Sequence, residues 1–414
     1  MNRLYVCYLA IFGISLLTCF FRDPLFKVFT ILIVTVVMVP QNFINSLFSE
    51  SGLSSQGLHP AFVSGIICLL LLVVQARKKL TLDFFAFAPG LLVFILPLLS
   101  TIFLRPSSEI LGLVSNFYLA LIIYFLVMYM NPKFLGAIIF RVIPILVYTE
   151  VFIAIIQFAG FTLPIYSEIP FNVAQHRNHI KFLRSSGSFD HPLILGLFLL
   201  AVLVIYSSQK TKNIGFLFTS AIVVGTLLTQ SRTFIALVAF LILFNSMKSR
   251  NSNLKSILFI ALLLLLAFSL SQSILVDGIR GRYSNDYNST SLRLQALDYV
   301  YRNPELFSLF GKGYGSSFES QISGAIGSSL ESGWLMLAID FGVLWIICFT
   351  VLLVNRIKPL ESRTKFFCLI LGASTFTFSS VAAPGPCLTI LFMALALIST
   401  KSPQELASKN EQLL

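Results

Sequence analysis

Apolar runs of roughly 20 residues, separated by short polar pieces, follow one another along nearly the whole chain. That is the length a helix needs to cross hydrocarbon with every backbone group bonded internally. The pattern predicts spans at 4–21, 27–48, 60–76, 84–104, 110–130, 142–160, 191–208, 214–229, 233–247, 256–275, 330–354, 366–382 and 387–400. Segments of about ten residues with alternating polarity, the mark of a membrane β-barrel, are absent from the sequence. The predicted fold class is therefore all-α, a single polytopic membrane domain over residues 1–414 with about 12 to 13 transmembrane helices. Leu4 to Phe21 reads as a retained span, because no small-residue cleavage site follows it and Arg22-Asp23-Pro24 leads directly into the next apolar run.

The connections between spans alternate in charge. Arg77-Lys78-Lys79, Lys133 with Arg141, Lys210 with Lys212, Lys248 to Lys255, Arg356 to Lys365 and Lys401 with Lys409 fall on every second connection. Cytoplasmic loops carry the excess of Lys and Arg, so these connections and the polar tail 402–414 are expected inside. Strict alternation then places Met1 outside. Also outside are 49–59, 105–109, the second loop 161–190, the turn Thr229-Gln230-Ser231-Arg232, the large loop 276–329 and the break Ala383-Pro384-Gly385-Pro386.

Composition removes the main alternative. With 57% hydrophobic and 11% charged residues, and a mean hydropathy of +0.88, no water-soluble core could hide the apolar surface. The expected partner is membrane lipid. The net charge of +12 is spread over many short loops and does not form a nucleic-acid face. All six cysteines lie inside apolar segments, which implies neither a disulfide framework nor a cysteine metal site.

Arginines are expected to be sparse outside the cytoplasm, so those that remain there point to chemistry. They fall in three places. The loop 161–190 holds His176, Arg177, His179, Lys181 and Arg184; the turn holds Arg232; the large loop holds Arg280, Arg282, Arg293, Arg302 and Lys312. A guanidinium is always charged and offers a planar fork of donors that fits phosphate oxygens in pairs. An anionic, phosphate-bearing ligand is the expectation. The competing reading is surface pairing, because Asp277, Asp286, Asp298, Glu305 and Glu319 balance the five basic residues of the large loop. Arg232 is harder to explain in that way, since its turn is too short to form a solvated loop.

Glu150 and Asp340 fall inside predicted spans, where a charge at mid-bilayer costs roughly 2.5–3.5 kcal/mol on insertion scales. Function and hydrogen-bonded helix contact are both open for them. Glu331 lies at the outer start of its span. His176, His179 and His191 can carry protons or be ordinary surface residues, and no zinc-protease spacing is present; no metal site is expected. The run Leu309-Phe310-Gly311-Lys312-Gly313-Tyr314-Gly315 either brings backbone N–H groups to an anion or forms a flexible turn.

Three segments together resemble the bacterial O-antigen polymerase and O-antigen ligase superfamily. They are Arg184-Ser-Ser-Gly-Ser-Phe-Asp-His-Pro with Leu195-Gly196, then Thr229-Gln-Ser-Arg232-Thr, and then Gly311-Lys-Gly-Tyr-Gly followed by Glu331-Ser-Gly-Trp-Leu and Asp340-Phe-Gly342. The resemblance spans mainly 180–345. It implies a GT-C-like, metal-independent membrane glycosyltransferase without a cofactor, which joins repeat units carried on undecaprenyl pyrophosphate at the periplasmic face of the inner membrane. On that resemblance Arg232 and Arg293 would hold the diphosphate, with Arg184 next, and Arg280, Arg282, His176 and His179 would add substrate contacts. Glu331 would be the base or position the acceptor. Ligases carry a His where Glu331 stands, which favours a polymerase, although His176 or His179 can substitute. Expected partners are the lipid-linked glycan, a chain-length regulator and a flippase. A transporter of lipid-linked sugars and a non-catalytic assembly partner are the rival classes; no repeat between halves and a loop of about 50 residues speak against transport.

Overall fold

A computed structural model describes residues 3–50, 57–76, 84–105, 107–159, 161, 185–209, 215–247, 287–318, 330, 332–374 and 386–399. Among these residues the fold is helical throughout, without strands. The helices are α1 (Arg3–Thr18), α2 (Pro24–Met38), α3 (Gln41–Glu50), α4 (Ala61–Ala76), α5 (Phe84–Leu104), α6 (Ser107–Leu113) and α7 (Leu119–Tyr129). They continue with α8 (Pro132–Ala137), α9 (Ile143–Phe158), α10 (Pro192–Ser208), α11 (Phe216–Leu228), α12 (Arg232–Met247) and α13 (Tyr287–Arg302). The last are α14 (Gly333–Phe341), α15 (Val343–Ile357), α16 (Ser362–Ser374) and α17 (Cys387–Ser399). The expected span 256–275, the tail 402–414 and most of the break 383–386 lie outside the described residues.

Among the described residues, two stretches are long and apolar enough to cross a membrane, Glu109–Tyr129 and Pro132–Phe158, and eight shorter apolar helices accompany them. The way α9 divides its surface fits a hydrocarbon solvent. Ile145, Tyr148, Phe152 and Ile155 form an outward stripe at helical spacing, with Phe152 63% exposed. Glu150 and Gln157 point inward and are buried. Apolar outside and polar inside is the reverse of a water-soluble helix. It makes the chain compatible with a membrane protein.

At the centre runs α10, apolar on every face and buried along almost its whole length. It starts sharply because Pro192 occupies the first turn, where its missing N–H costs nothing, and His191 caps the helix by accepting the Leu193 N–H at its Nδ1 (3.1 Å). Around it pack α11, α12, α16 and α17. Gly196 lets the Phe234 ring of α12 come so close that a Cβ there would stand 2.4 Å from it.

Several expected spans are interrupted. The segment 27–48 bends by 82° between α2 and α3. Val39 is extended there because it precedes Pro40, whose ring disfavours the helical conformation of its neighbour. π-helical turns at Val114–Tyr118 and Ile138–Val142 are inserted into the two longest stretches. The second lies just before Pro144, which has no N–H to continue the helix ladder.

The segment 330–354 is not one span. Trp334 on α14 and Phe349 on α15 have ring centroids 5.7 Å apart, whereas a continuous helix would separate them by about 22 Å. The chain therefore folds back at Gly342, whose φ of 93° no helix contains. In the large loop, α13 is a further departure. Its exposed ion pair Arg302 Nε to Asp298 Oδ2 (2.9 Å) is the local pairing that the loop's balanced charges allow.

Candidate functional site

Two polar clusters form where the connections meet at one end of the bundle. The first is built on residues 185–191. Gln157, near the end of α9, grips this loop: its Nε2 donates to the Gly187 carbonyl (2.6 Å) and its Oε1 accepts the N–H groups of Ser186 (3.1 Å) and Gly187 (2.9 Å). Glu150 Oε2 accepts the Ser188 N–H (2.8 Å), and Oε1 meets the Ser188 hydroxyl. Gly187 has φ 65°, and a Cβ there would stand 2.2 Å from Glu150 Oε2, so only glycine fits.

The same loop reaches the break between α2 and α3. Asp190 accepts the N–H groups of Gln41 (2.9 Å) and Asn42 (3.1 Å), which the start of α3 would otherwise leave unpaired. Burial pushes the Asp190 carboxyl up to about 7, opposed by these two backbone bonds. Across the break, His59 Nδ1 accepts the Ala61 N–H (3.2 Å), which fixes the proton on Nε2 and lets it donate to the Val39 carbonyl (3.0 Å). Burial lowers the His59 imidazole to about 4, against the raising effect of that carbonyl.

The second cluster is the glycine loop. Gly311, Gly313 and Gly315 have φ of 81°, 88° and 85°, which is why all three are glycine. Asp340 Oδ2 accepts the Gly315 N–H (3.1 Å), and Oδ1 accepts the Ser317 N–H (2.8 Å) and the Ser316 hydroxyl (2.8 Å). The loop does bring backbone N–H groups to an anion, as the glycine spacing allowed. The anion is the chain's own Asp340 carboxylate, not an external phosphate. Lys312 N–H and Gly313 N–H donate to the carbonyls of Ile339 (3.0 Å) and Asp340 (2.9 Å), which ties the loop to the fold-back at Gly342.

One π-helical turn joins the clusters. Ser115 Oγ accepts the His59 N–H (2.9 Å) and donates to the Gly57 carbonyl (3.0 Å). The next residue, Asn116, donates from Nδ2 to the Tyr314 hydroxyl (2.8 Å). Tyr314 N–H in turn donates to Thr101 Oγ1 near the end of α5 (3.0 Å). At the opposite end of the bundle, Arg363 Nη2 donates to Asn245 Oδ1 (2.7 Å), and Asn245 Nδ2 donates to Ser207 Oγ (2.6 Å). These contacts lie away from the two clusters, at the other end of α10.

Of the arginines that the resemblance assigns to the diphosphate, Arg232 is described in full. It is the first residue of α12 and half-buried, so the short turn ends where the helix begins. Gln230 just before it is buried and has φ 51°, unusual for a residue other than glycine. Ser185 N–H donates to the Leu228 carbonyl (3.1 Å), which brings the chain next to Arg184 against the turn that carries Arg232. Arg293 lies on α13, with its side chain outside the described residues; Arg184, Arg280, Arg282, His176, His179 and Glu331 also lie outside them.

His191 is placed as a helix cap. The sequence reading passed over Gln157 and Asn116, and quoted Ser188 and Asp190 only as part of the segment that begins at Arg184. Gln157 and Asn116 were detectable as lone amides inside apolar runs, where an unpaired amide is costly. Ser188 and Asp190 carried no pattern that named their partners, Glu150 and the start of α3. No protein-family model matches the chain, and no curated protein matches it.

Proposed function

We propose that this chain is a polysaccharide polymerase of a bacterial inner membrane, multi-pass, with the end bearing the two polar clusters facing the periplasm. The observation that carries the reading is the approach of two of the three segments on which the family resemblance rests: Ser185 N–H in the first donates to the carbonyl of Leu228, the residue just before the second. The third segment, around Tyr314, is coupled to the same end of the bundle through Ser115 and Asn116.

In this reading the donor is a glycan on undecaprenyl pyrophosphate. A sugar hydroxyl of a second lipid-linked unit attacks its anomeric carbon, the carbon–oxygen bond to the pyrophosphate breaks, and the electron pair leaves with the lipid diphosphate. Preorganised cations stabilise the charge that develops on the leaving group. Arg232 is the first candidate, since it is half-buried and stands at the N-terminus of α12, an end of a helix that favours an anion. Arg293 and Arg184 are assigned to the same task, Arg280, Arg282, His176 and His179 to substrate contact, and Glu331 to the acceptor.

The test is complementation of a polymerase-null strain, with surface polysaccharide resolved by chain length on a gel. A ladder of lengths is the expected result for the wild type. Arg232→Ala and Arg293→Ala are each expected to abolish the ladder while the protein stays in the membrane at normal level. A single repeat unit on lipid A-core with the wild-type chain would overturn the polymerase assignment. Loss of all surface sugar with lipid-linked units held inside would point to export instead.

A further inference from the structure

The loop 185–190 closes both sides of the break between α2 and α3. In a continuous helix the Gln41 N–H would reach the Val37 carbonyl, but here it goes to Asp190. The Val37 carbonyl is left to the Ser188 hydroxyl, which donates to it across 2.5 Å. The same hydroxyl meets Glu150 Oε1. Val37, Ser188 and Glu150 are 1%, 0% and 0% exposed, so bulk water does not reach these three oxygens.

Protons must be assigned along this row. A serine hydroxyl has one proton and lone pairs to accept with, whereas a backbone carbonyl has no proton at all. Given to Glu150, the Ser188 proton leaves the Val37 carbonyl facing lone pairs, a buried acceptor without a donor. Given to Val37, it leaves Glu150 Oε1 facing lone pairs, and that contact is a hydrogen bond only if Oε1 carries a proton of its own. A carboxylic acid supplies one. Its other oxygen, Oε2, then accepts the Ser188 N–H (2.8 Å) as a carbonyl does. Asp340 is the contrast, because the Gly315 N–H, the Ser317 N–H and the Ser316 hydroxyl each bring it a proton.

We propose that Glu150 is a protonated carboxylic acid and that its proton locks the loop of the candidate site in place. Oε1–H donates to Ser188 Oγ, and the Ser188 hydroxyl donates to the Val37 carbonyl. One chain of bonds thus joins α9, the loop and the end of α2. Two turns further along α9, Gln157 holds Ser186 and Gly187 of the same loop. The lock fixes the chain next to Arg184 and, through the Ser185 N–H, its place against the turn that carries Arg232. Glu150 is therefore a positioning residue, and as a neutral acid it brings no charge into the interior of the bundle. The assignment stands independently of the polymerase reading.

The experiment uses the full-length chain in nanodiscs at neutral pH. An infrared difference spectrum, wild type minus Glu150→Gln, is expected to show the carboxylic-acid C=O stretch, which an ionised carboxylate lacks. In Ser188→Ala the band is expected to move to higher frequency, because the acid loses the oxygen that its proton is bonded to. Glu150→Gln keeps the proton arrangement: its amide N–H donates to Ser188 Oγ and its oxygen accepts the Ser188 N–H. Hydrogen exchange of peptides covering 36–42 and 185–190 is therefore expected to stay within about threefold of wild type in Glu150→Gln. In Glu150→Ala and Ser188→Ala both peptides are expected to exchange at least about tenfold faster, the scale of one lost buried hydrogen bond.

A difference spectrum without that band overturns the proposal, because Glu150 is then ionised. Exchange in Glu150→Gln as fast as in Glu150→Ala overturns it too, since the loop would then depend on a charge and not on a proton. Faster exchange confined to 185–190 in Ser188→Ala overturns the relay to Val37, and unchanged exchange in both alanine variants overturns the lock. Should the alanine variants fail to fold, the spectrum and the exchange of Glu150→Gln against wild type decide the matter.

Discussion

Trp334 and Phe349 pack with ring centroids 5.7 Å apart on either side of Gly342, so α14 and α15 lie side by side instead of end to end. The glycine loop is seated on this fold-back: Val343 N–H and Leu344 N–H donate to the carbonyls of Ser308 (3.1 Å) and Leu309 (3.2 Å). The approach is close enough that a Cβ on Gly342 would stand 2.4 Å from the Gly311 nitrogen.

Gly342→Ala is therefore expected to be among the most damaging single substitutions. It places a methyl group against backbone that cannot move aside and forces an alanine to a positive φ, a strain of about 1–3 kcal/mol before the clash is added. Gly13→Ala is the control, since nothing lies within 4 Å of a Cβ there. Thermal unfolding in detergent, read by size-exclusion chromatography, should show a large loss for the first and none for the second.

Asp340→Ala is expected to release the glycine loop. It would leave the Gly315 and Ser317 N–H groups and the Ser316 hydroxyl without their acceptor in a buried place. Each buried donor left unsatisfied costs about 1–3 kcal/mol. Asp340→Asn keeps one acceptor oxygen and should lose less. Protease sensitivity of the chain around 311–318 should rank wild type, Asn and Ala in that order.

His59 and Asp190 predict opposite pH dependences in one window. The His59 imidazole is lowered from 6.5 to about 4, so its contribution to stability is full above 6.5 and is lost as pH falls toward 4. The Asp190 carboxyl is raised from 3.8 to about 7, so its contribution is full below 3.8 and is lost as pH rises toward 7. In the wild type the two largely offset each other. Asp190→Asn should make the melting temperature fall on acidification from pH 7 to 4, and His59→Gln should make it rise over the same range.

How far this site could be read in the sequence depends on where each partner lies along the chain. The glycines at 311, 313 and 315 and the proline at 40 act through their own backbone, so a turn and a break were foreseeable at those positions. The helix α13 was passed over, although the spacing of Leu294, Leu297 and Tyr301, with Asp298 four residues before Arg302, is helical. Glu150 and Asp340 stood out as charges in apolar runs, but nothing local said that Ser188 and the glycine loop would satisfy them.

The sequence by itself determined that this is an all-helical chain compatible with a membrane and roughly where its apolar stretches lie. The physical reason is that hydrocarbon leaves a backbone no partner but itself, so length and polarity suffice to mark a helix. Only the tertiary structure decided which connections meet, that α14 folds back on α15, and that the anion in the glycine loop is Asp340. These outcomes depend on contacts between residues far apart in the chain, such as Asn116 with Tyr314, which carry no local pattern.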